Sequence, residues 1–187
     1  MQAHRKFILV LAFASALAAG GCSAPAADRA AEDLAILRAV LSVHCSRNGP
    51  QTVVTDMPAQ PHEAEIPLAV PPDIRFGLDL TTRQAGSFRW PLGKLCPSVL
   101  VAADEGIKET FARETKIPPS GEFFVKEFNG ASRLVGVSLP VYSADGERAV
   151  VYTSSRCGVL CGSGFYIEFR KTRKGWKRTN STGAWIS

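Results

Sequence analysis

The sequence predicts an α+β protein, with N-terminal helices and a mainly antiparallel sheet built from the C-terminal half. Three observations lead there. Apolar residues recur at helical spacing between Ala30 and Val43, and again beyond Asp104. The last fifty or so residues alternate with period two and are broken by Asp145-Gly146 and Lys174-Gly175, dipeptides suited to hairpin turns. Helices come first and strands afterwards, which is not the βαβα alternation of a parallel sheet.

Taken in order, Leu34, Leu37 and Leu41, with Ile36 and Val40, form an apolar stripe over Ala30 to Val43. Asp28 is placed to cap this helix, and Glu32 and Asp33 suit its first turn. Gly49-Pro50 ends any continuation past Cys45. Thr52, Val53 and Val54 make a short strand within Gln51 to Thr55. Residues 57–72 hold five prolines and read as loop or extended chain. Asp73 to Gln84 suits a short helix carrying Ile74 and Leu78. Ser98 to Ala102 is a second apolar strand. Asp104 caps a helix to about Thr115, with Ile107 and Phe111 one turn apart, and Pro118-Pro119-Ser120-Gly121 breaks it. Phe123, Phe124, Val125 and Phe128 mark a short helical segment over Glu122 to Phe128. Leu134 to Tyr142, Arg148 to Ser154, Phe165 to Phe169, Trp176 to Thr179 and the Ala184-Trp185-Ile186 tail then form a meander.

The N-terminus addresses a compartment. His4, Arg5 and Lys6 precede a thirteen-residue apolar run, Phe7 to Ala19, and small residues Gly20 and Gly21 lead to Cys22. This is the pattern of a secretory signal over residues 1–21. The run is shorter than the roughly 20 residues of a spanning helix. Ala19-Gly20-Gly21-Cys22 resembles the lipobox of bacterial lipoproteins, with Ala19 where that pattern favours Leu. The resemblance implies that Cys22 is lipidated and becomes the mature N-terminus; Ser23, being non-acidic, implies the outer membrane. The alternative is cleavage near Ala24-Pro25-Ala26 and a soluble periplasmic protein. Residues 22–31 then serve as lipid-attachment site and tether, and residues 32–187 as one α+β domain. The chain carries a formal charge of +5, and losing Arg5 and Lys6 with residues 1–21 leaves +3. About 165 residues remain, enough for one core.

The chain has five cysteines. With Cys22 acylated, Cys45, Cys96, Cys157 and Cys161 remain, an even number that reads as disulfides in an oxidising compartment. Four cysteines admit three pairings. Gly158 permits the tight turn that a Cys157–Cys161 bridge needs, and Cys45–Cys96 is the pairing left beside it.

Ala149-Val150-Val151-Tyr152, the Cys157-Gly158-Val159-Leu160-Cys161-Gly162-Ser163-Gly164 loop, Gly175-Trp176 and Trp185-Ile186-Ser187 together resemble a group of uncharacterised bacterial exported proteins and putative lipoproteins. Asp79-Leu80 and Arg83 extend the likeness, which covers residues 74–187. It implies the fold and the compartment and carries no activity.

Chemistry is sparse. Cys157 and Cys161 are one residue further apart than the Cys-x-x-Cys of thiol oxidoreductases and lie between strands, so they suit a staple better than a redox pair. Zinc held by Cys157, Cys161 and Cys45 or His44 is disfavoured where disulfides form. A nucleophile needs an adjacent base, and the mature chain has only His44, at a helix end whose dipole favours a cation, and His62, in a Pro-rich loop. Gly162-Ser163-Gly164 is not a nucleophile elbow. Glu63, Glu65, Asp73 and Asp79 are scattered through loops. No metal and no cofactor is expected. Arg170, Lys171, Arg173, Lys174, Lys177 and Arg178 form a basic ribbon with Tyr166 and Trp176 nearby, suited to anionic lipid or envelope polymer, or simply to protecting a sheet edge. Nucleic acid is not an expected partner outside the cell membrane. The expectation is a non-catalytic cell-envelope lipoprotein that binds an envelope protein or anionic polymer and is held to the membrane by its lipid. The alternative is a thiol-active periplasmic protein using Cys157 and Cys161.

Overall fold

The computed structural model describes residues 26–45, 51–61, 70–75, 77–78, 88–91, 98–114, 122–157 and 161–187. Cys22, His62, Glu63, Glu65, Asp79 and Cys96 lie outside them, as do the signal segment and the centre of the Cys157–Cys161 loop.

The elements are α1 (Ala26–Leu41) with a 3-10 turn at Ser42–His44, β1 (Thr52–Thr55), β2 (Val99–Ala102), α2 (Asp104–Glu114), α3 (Glu122–Glu127), β3 (Arg133–Val137), β4 (Val141–Tyr142), β5 (Arg148–Arg156), β6 (Gly162–Thr172) and β7 (Gly175–Ile186). Residues 72–75 are also helical. The fold is α+β, and the sheet runs in the order β2-β1-β3-β5-β6-β7, with β4 pairing β5. From β3 onward every pairing is antiparallel. At the other edge β1 runs parallel to both β2 and β3, because α2 and α3 carry the chain back across that edge before β3 begins.

Both faces of the sheet are covered. On one, Ile36, Leu37, Val40 and Leu41 of α1 are buried against Val54, Val135, Val137, Val151, Ile167 and Phe169. Each such side chain contributes about 1.5–3 kcal/mol of burial. On the other face, Ile107, Phe111 and Phe128 pack on Val53, Leu100 and Leu134, and Val70, Ile74 and Leu78 pack on Val141, Val150, Tyr152 and Tyr166. Among the described residues, no helix is long and apolar enough to cross a membrane.

Several boundaries differ from the sequence expectation. Helix α1 begins at Ala26, inside the expected tether. Alanine is the best helix former, and Ala26, Ala27, Ala30 and Ala31 extend the helix towards its N-terminus, so that Asp28 lies in the first turn rather than at the cap. The expected strand over Leu134–Tyr142 is two strands. Ser138 interrupts it by accepting a hydrogen bond from the Tyr152 N–H at 2.8 Å through its hydroxyl. The expected separate strands near Trp176 and Ala184 are one twelve-residue strand, β7. Its polar middle, Asn180-Ser181-Thr182, is tolerated because β7 is an edge strand. Gly146 (φ 70°) and Gly175 (φ 103°) take the left-handed conformation at the two hairpin turns, as their dipeptides implied.

Candidate functional site

Helix α1 runs the length of the sheet, and its two ends meet two different groups of residues. Its C-terminal end, with the 3-10 turn, stands over an open cleft of about 570 Å³. Val135, Thr153, Ser155, Phe165 and Ile167 of β3, β5 and β6 form the floor. Val43, His44, Arg133, Arg178 and Ile186 line its sides, and Cys157 and Cys161 its end. Among the described residues no acidic side chain lines it.

Local geometry explains why these residues converge. β6 and β7 carry two register shifts, at Gly164/Phe165 and Glu168/Phe169. The second leaves Thr179 as the extra residue, its hydroxyl donating to the Glu168 carbonyl at 3.2 Å. Cross-strand partners share a face, so Arg178 opposite Phe169 and Ser181 opposite Ile167 both face α1. Strict alternation would separate positions 178 and 181; the bulge reunites them.

Cys157 and Cys161 are joined, with Cα atoms 5.2 Å apart, and the Cys157 N–H donates to the Cys161 carbonyl at 2.9 Å. Cys45 is also disulfide-bonded; its expected partner Cys96 lies outside the described residues. The strands leaving the loop hold the C-terminal residues. Gly162 and Gly164 lie under the indole of Trp185, and a Cβ built on either would come within 2.8 Å and 2.3 Å of that ring. The indole N–H donates to the Tyr152 hydroxyl at 2.7 Å. The Ser187 N–H donates to the Gly162 carbonyl at 3.0 Å, and the Ser187 carbonyl accepts from the Gly162 N–H at 3.4 Å. The Gly-x-Gly after Cys161 and the Trp-Ile-Ser segment, far apart in sequence, are therefore one packing unit.

His44 corrects the sequence reading. Burial, and secondarily the Arg133 guanidinium, lower its pKa, so the neutral imidazole is favoured rather than the cation. Among the described residues no hydroxyl is hydrogen-bonded to that imidazole, while the His44 carbonyl accepts from the Ser98 hydroxyl at 2.8 Å. Neither Arg133 nor Arg178 has an ion pair among the described residues.

At the N-terminal end of α1 lies the tip of the β6–β7 hairpin. Glu32 pairs with Lys171, Asp33 accepts from the Tyr142 hydroxyl at 2.6 Å, and Arg29 lies 4.0 Å over the Tyr142 ring. Tyr142 in turn meets Trp176 edge to face at 5.6 Å. Burial raises the Asp33 pKa more than the Tyr142 hydrogen bond lowers it.

The basic ribbon is not one cationic face. Lys171, opposite Trp176, and Arg178, opposite Phe169, face α1. Arg170 and Lys177 are paired with each other on the reverse face, with Arg148 opposite Arg170. Arg173 and Lys174 form the turn between the strands. The bulge and the alternation of paired strands divide residues that the sequence places side by side. The cleft as a whole was not legible in the sequence, because its residues come from α1, the 3-10 turn and four strands; only its end, with Cys157, Cys161, Gly162, Ser163, Ile186 and Ser187, belongs to motifs visible there.

A second cavity, of about 600 Å³, lies on the other face, lined by Thr55, Asp104, Lys108, Ser154, Arg156 and Trp185 among others. Asp104 there is already paired with Lys108. Among the described residues no group of three or more His, Cys, Asp or Glu side chains could hold a metal ion. No protein-family model matches the chain, nor does any curated protein or any solved structure.

Proposed function

We propose that this protein is a non-catalytic binding module of the bacterial cell envelope. It is anchored by lipid at Cys22, with the tip of the β6–β7 hairpin against the membrane and the cleft presented outwards. The observation that carries this reading is the pairing of ends along α1. Glu32 and Lys171 join its first turns to the cationic hairpin, and Val40 and His44 border the cleft at its other end. Glu32 and Val40 lie eight residues apart on the helix, about 12 Å along its axis. The four peptide steps from Cys22 to Ala26 span at most about 14 Å, so an acylated Cys22 holds the hairpin end close to the lipid.

Arg148, Arg170, Arg173, Lys174 and Lys177 lie at that end with no ion pair among the described residues. Asp145 and Glu147 in the neighbouring turn offset part of their charge. A lipid chain and a basic patch are the two signals that together give stable attachment. Binding rather than catalysis suits the cleft, because its two cysteines are joined to each other and, among the described residues, no hydroxyl is hydrogen-bonded to its imidazole.

The test has two parts. The intact mass of protein purified from membranes should lack residues 1–21 and carry acyl chains. Separately, the mature chain with Cys22→Ser should cosediment with vesicles of phosphatidylglycerol and phosphatidylethanolamine at low salt. Each basic residue near an anionic surface is worth about 1 kcal/mol, so Arg173→Glu/Lys174→Glu/Lys177→Glu should weaken that binding about a hundredfold. Unchanged vesicle binding in the triple variant would remove the orientation, and an unacylated Cys22 would remove the anchor.

A further inference from the structure

On the face of the sheet opposite the cleft, β5 and β6 set a guanidinium and a hydroxyl beside an indole. Register places Arg156 opposite Gly162 and Ser154 opposite Gly164, and residues so paired stand about 4.5–5.5 Å apart on one face. Trp185 fills the space that the two glycines leave. Cζ3 and Cη2 of its six-membered ring approach Gly162, and Nε1 and Cδ1 of its five-membered ring approach Gly164. The indole therefore lies along β6 beside the two rows that carry Arg156 and Ser154, and its hydrogen bond to the Tyr152 hydroxyl fixes it there. Trp185 is half-buried, so the side of its ring away from the glycines is open to the cavity it lines. Arg156 and Ser154 are two positions apart on β5, about 7 Å along the strand, so one small molecule can touch all three. Neither polar group is already engaged: among the described residues Arg156 has no ion pair and the Ser154 hydroxyl no hydrogen bond. Gly136, opposite Ser154 on β3, has no side chain to cover that hydroxyl.

We propose that this site binds an anionic sugar, a pyranose ring carrying a carboxylate or a phosphate. The ring packs on the indole of Trp185, the anion pairs with Arg156, and a ring hydroxyl bonds to Ser154. The inference goes beyond the reading of the protein as an anchored module, since it concerns the opposite face and needs neither the lipid nor the hairpin. Each part of the ligand follows from one neighbour. The C–H bonds on one face of a pyranose are weakly positive and suit the negative face of an indole, while hydroxyls leave from the rim of the ring. A guanidinium takes either anion through two parallel hydrogen bonds, which an ammonium does not. A purely apolar ligand would leave Arg156 and Ser154 without partners, and a neutral sugar would leave Arg156 without one. The three residues line the cavity of about 600 Å³, within the range of roughly 300–1,000 Å³ of pockets that take small organic ligands. Asp104, the carboxylate among its described lining residues, is held by Lys108 and does not compete for Arg156.

Titration of the mature chain carrying Cys22→Ser, in solution and without vesicles, tests the proposal through the assigned indole N–H resonances of its three tryptophans. The probes are glucuronate, glucose 6-phosphate, glucose and inorganic phosphate. One of the two anionic sugars, or both, should shift the Trp185 signal saturably, with glucose and inorganic phosphate at least about tenfold weaker. Trp90 and Trp176 belong to the cluster on the α1 side of the sheet, so their signals should stay in place. Preference between glucuronate and glucose 6-phosphate distinguishes a carboxylated from a phosphorylated sugar. Arg156→Ala should weaken binding about tenfold or more, the loss expected for a hydrogen bond to a charged group, and Ser154→Ala about threefold. Arg156 is exposed, so the melting temperature should hold in Arg156→Ala, and Arg156→Lys should recover only part of the affinity. Absence of a saturable shift at Trp185 with both anionic sugars would overturn the proposal. So would equal binding of glucose or of inorganic phosphate, or affinity unchanged in Arg156→Ala.

Discussion

A methyl group at position 164 would sit 2.3 Å from Nε1 of the Trp185 indole and 2.7 Å from its Cδ1. Both distances are far inside van der Waals contact, and a rigid bicyclic ring between strands cannot yield as a flexible side chain would. In an unencumbered strand, replacing Gly by Ala stabilises by roughly 0.5–1 kcal/mol. At Gly164 the sign should reverse. Overpacking costs about 1–3 kcal/mol. Displacing the ring also breaks the hydrogen bond from its N–H to the Tyr152 hydroxyl, a further loss of about 1 kcal/mol. Gly164→Ala should therefore destabilise by about 2–4 kcal/mol, which lowers the melting temperature by on the order of 5–15 °C for a chain of this size. Urea unfolding of four proteins decides the matter: parent, Gly164→Ala, Trp185→Ala and the double variant. With the indole gone, the added methyl has nothing to meet, so Gly164→Ala should change stability by less than about 0.5 kcal/mol in the Trp185→Ala background. An equal loss in both backgrounds, or a loss below about 0.5 kcal/mol in the parent, would refute the claim that the glycine exists to seat the tryptophan.

Two further outcomes follow from the cleft. Cys157→Ser opens a ring of only five residues, for which the loop-closure model gives about 2 kcal/mol. Calorimetric melting should show this loss and no other change, whereas a disulfide reduced by glutathione in the folded protein would favour the thiol-active alternative. The lowered pKa of His44 means that the unfolded chain takes up its proton first as the pH falls. Stability should therefore be independent of this group above pH about 6.5 and decline as the pH drops from there towards the folded-state value. Arg133 and Arg178 are the charged side chains that share the cleft with it, and no acidic side chain is among the described residues that line it. Urea midpoints across that range should flatten in His44→Gln; an unchanged slope would remove His44 as its source.

What could be read from the sequence was local. The Leu34–Leu41 stripe, the helix start near Asp104 and the glycines of two hairpins depend on neighbours in the chain, and the structure places α1, α2 and the turns accordingly, with Asp104 in the first turn rather than at the cap. The parallel edge was not legible, because Val53 gives no sign that Leu100 and Leu134 will flank it. The state of His44 was missed for the same reason: its helix-end position argued for a cation, and burial against Arg133 outweighed it. The basic ribbon was visible as composition, but which face each side chain takes depended on the bulge at Thr179. Arg133 and Arg178, 45 positions apart, come to line opposite parts of one cleft only through strand order.

The contact between Glu32 and Lys171 joins residues 139 apart in the chain, which bears on the order of assembly. Helix α1 is synthesised first, yet the surface it covers is completed by β6 and β7, which are synthesised last. A helix of sixteen residues is marginal without packing, so α1 is expected to gain stable structure only as the sheet it covers forms. The β5–β6–β7 meander, with contacts between adjacent strands, can form quickly, whereas docking of α1 and closure of the parallel edge require long loops and come later. This order predicts folding from the end of the chain back towards its beginning, and removal of β7 would take Trp176 from beside Tyr142 while leaving the Glu32–Lys171 and Asp33–Tyr142 contacts in place.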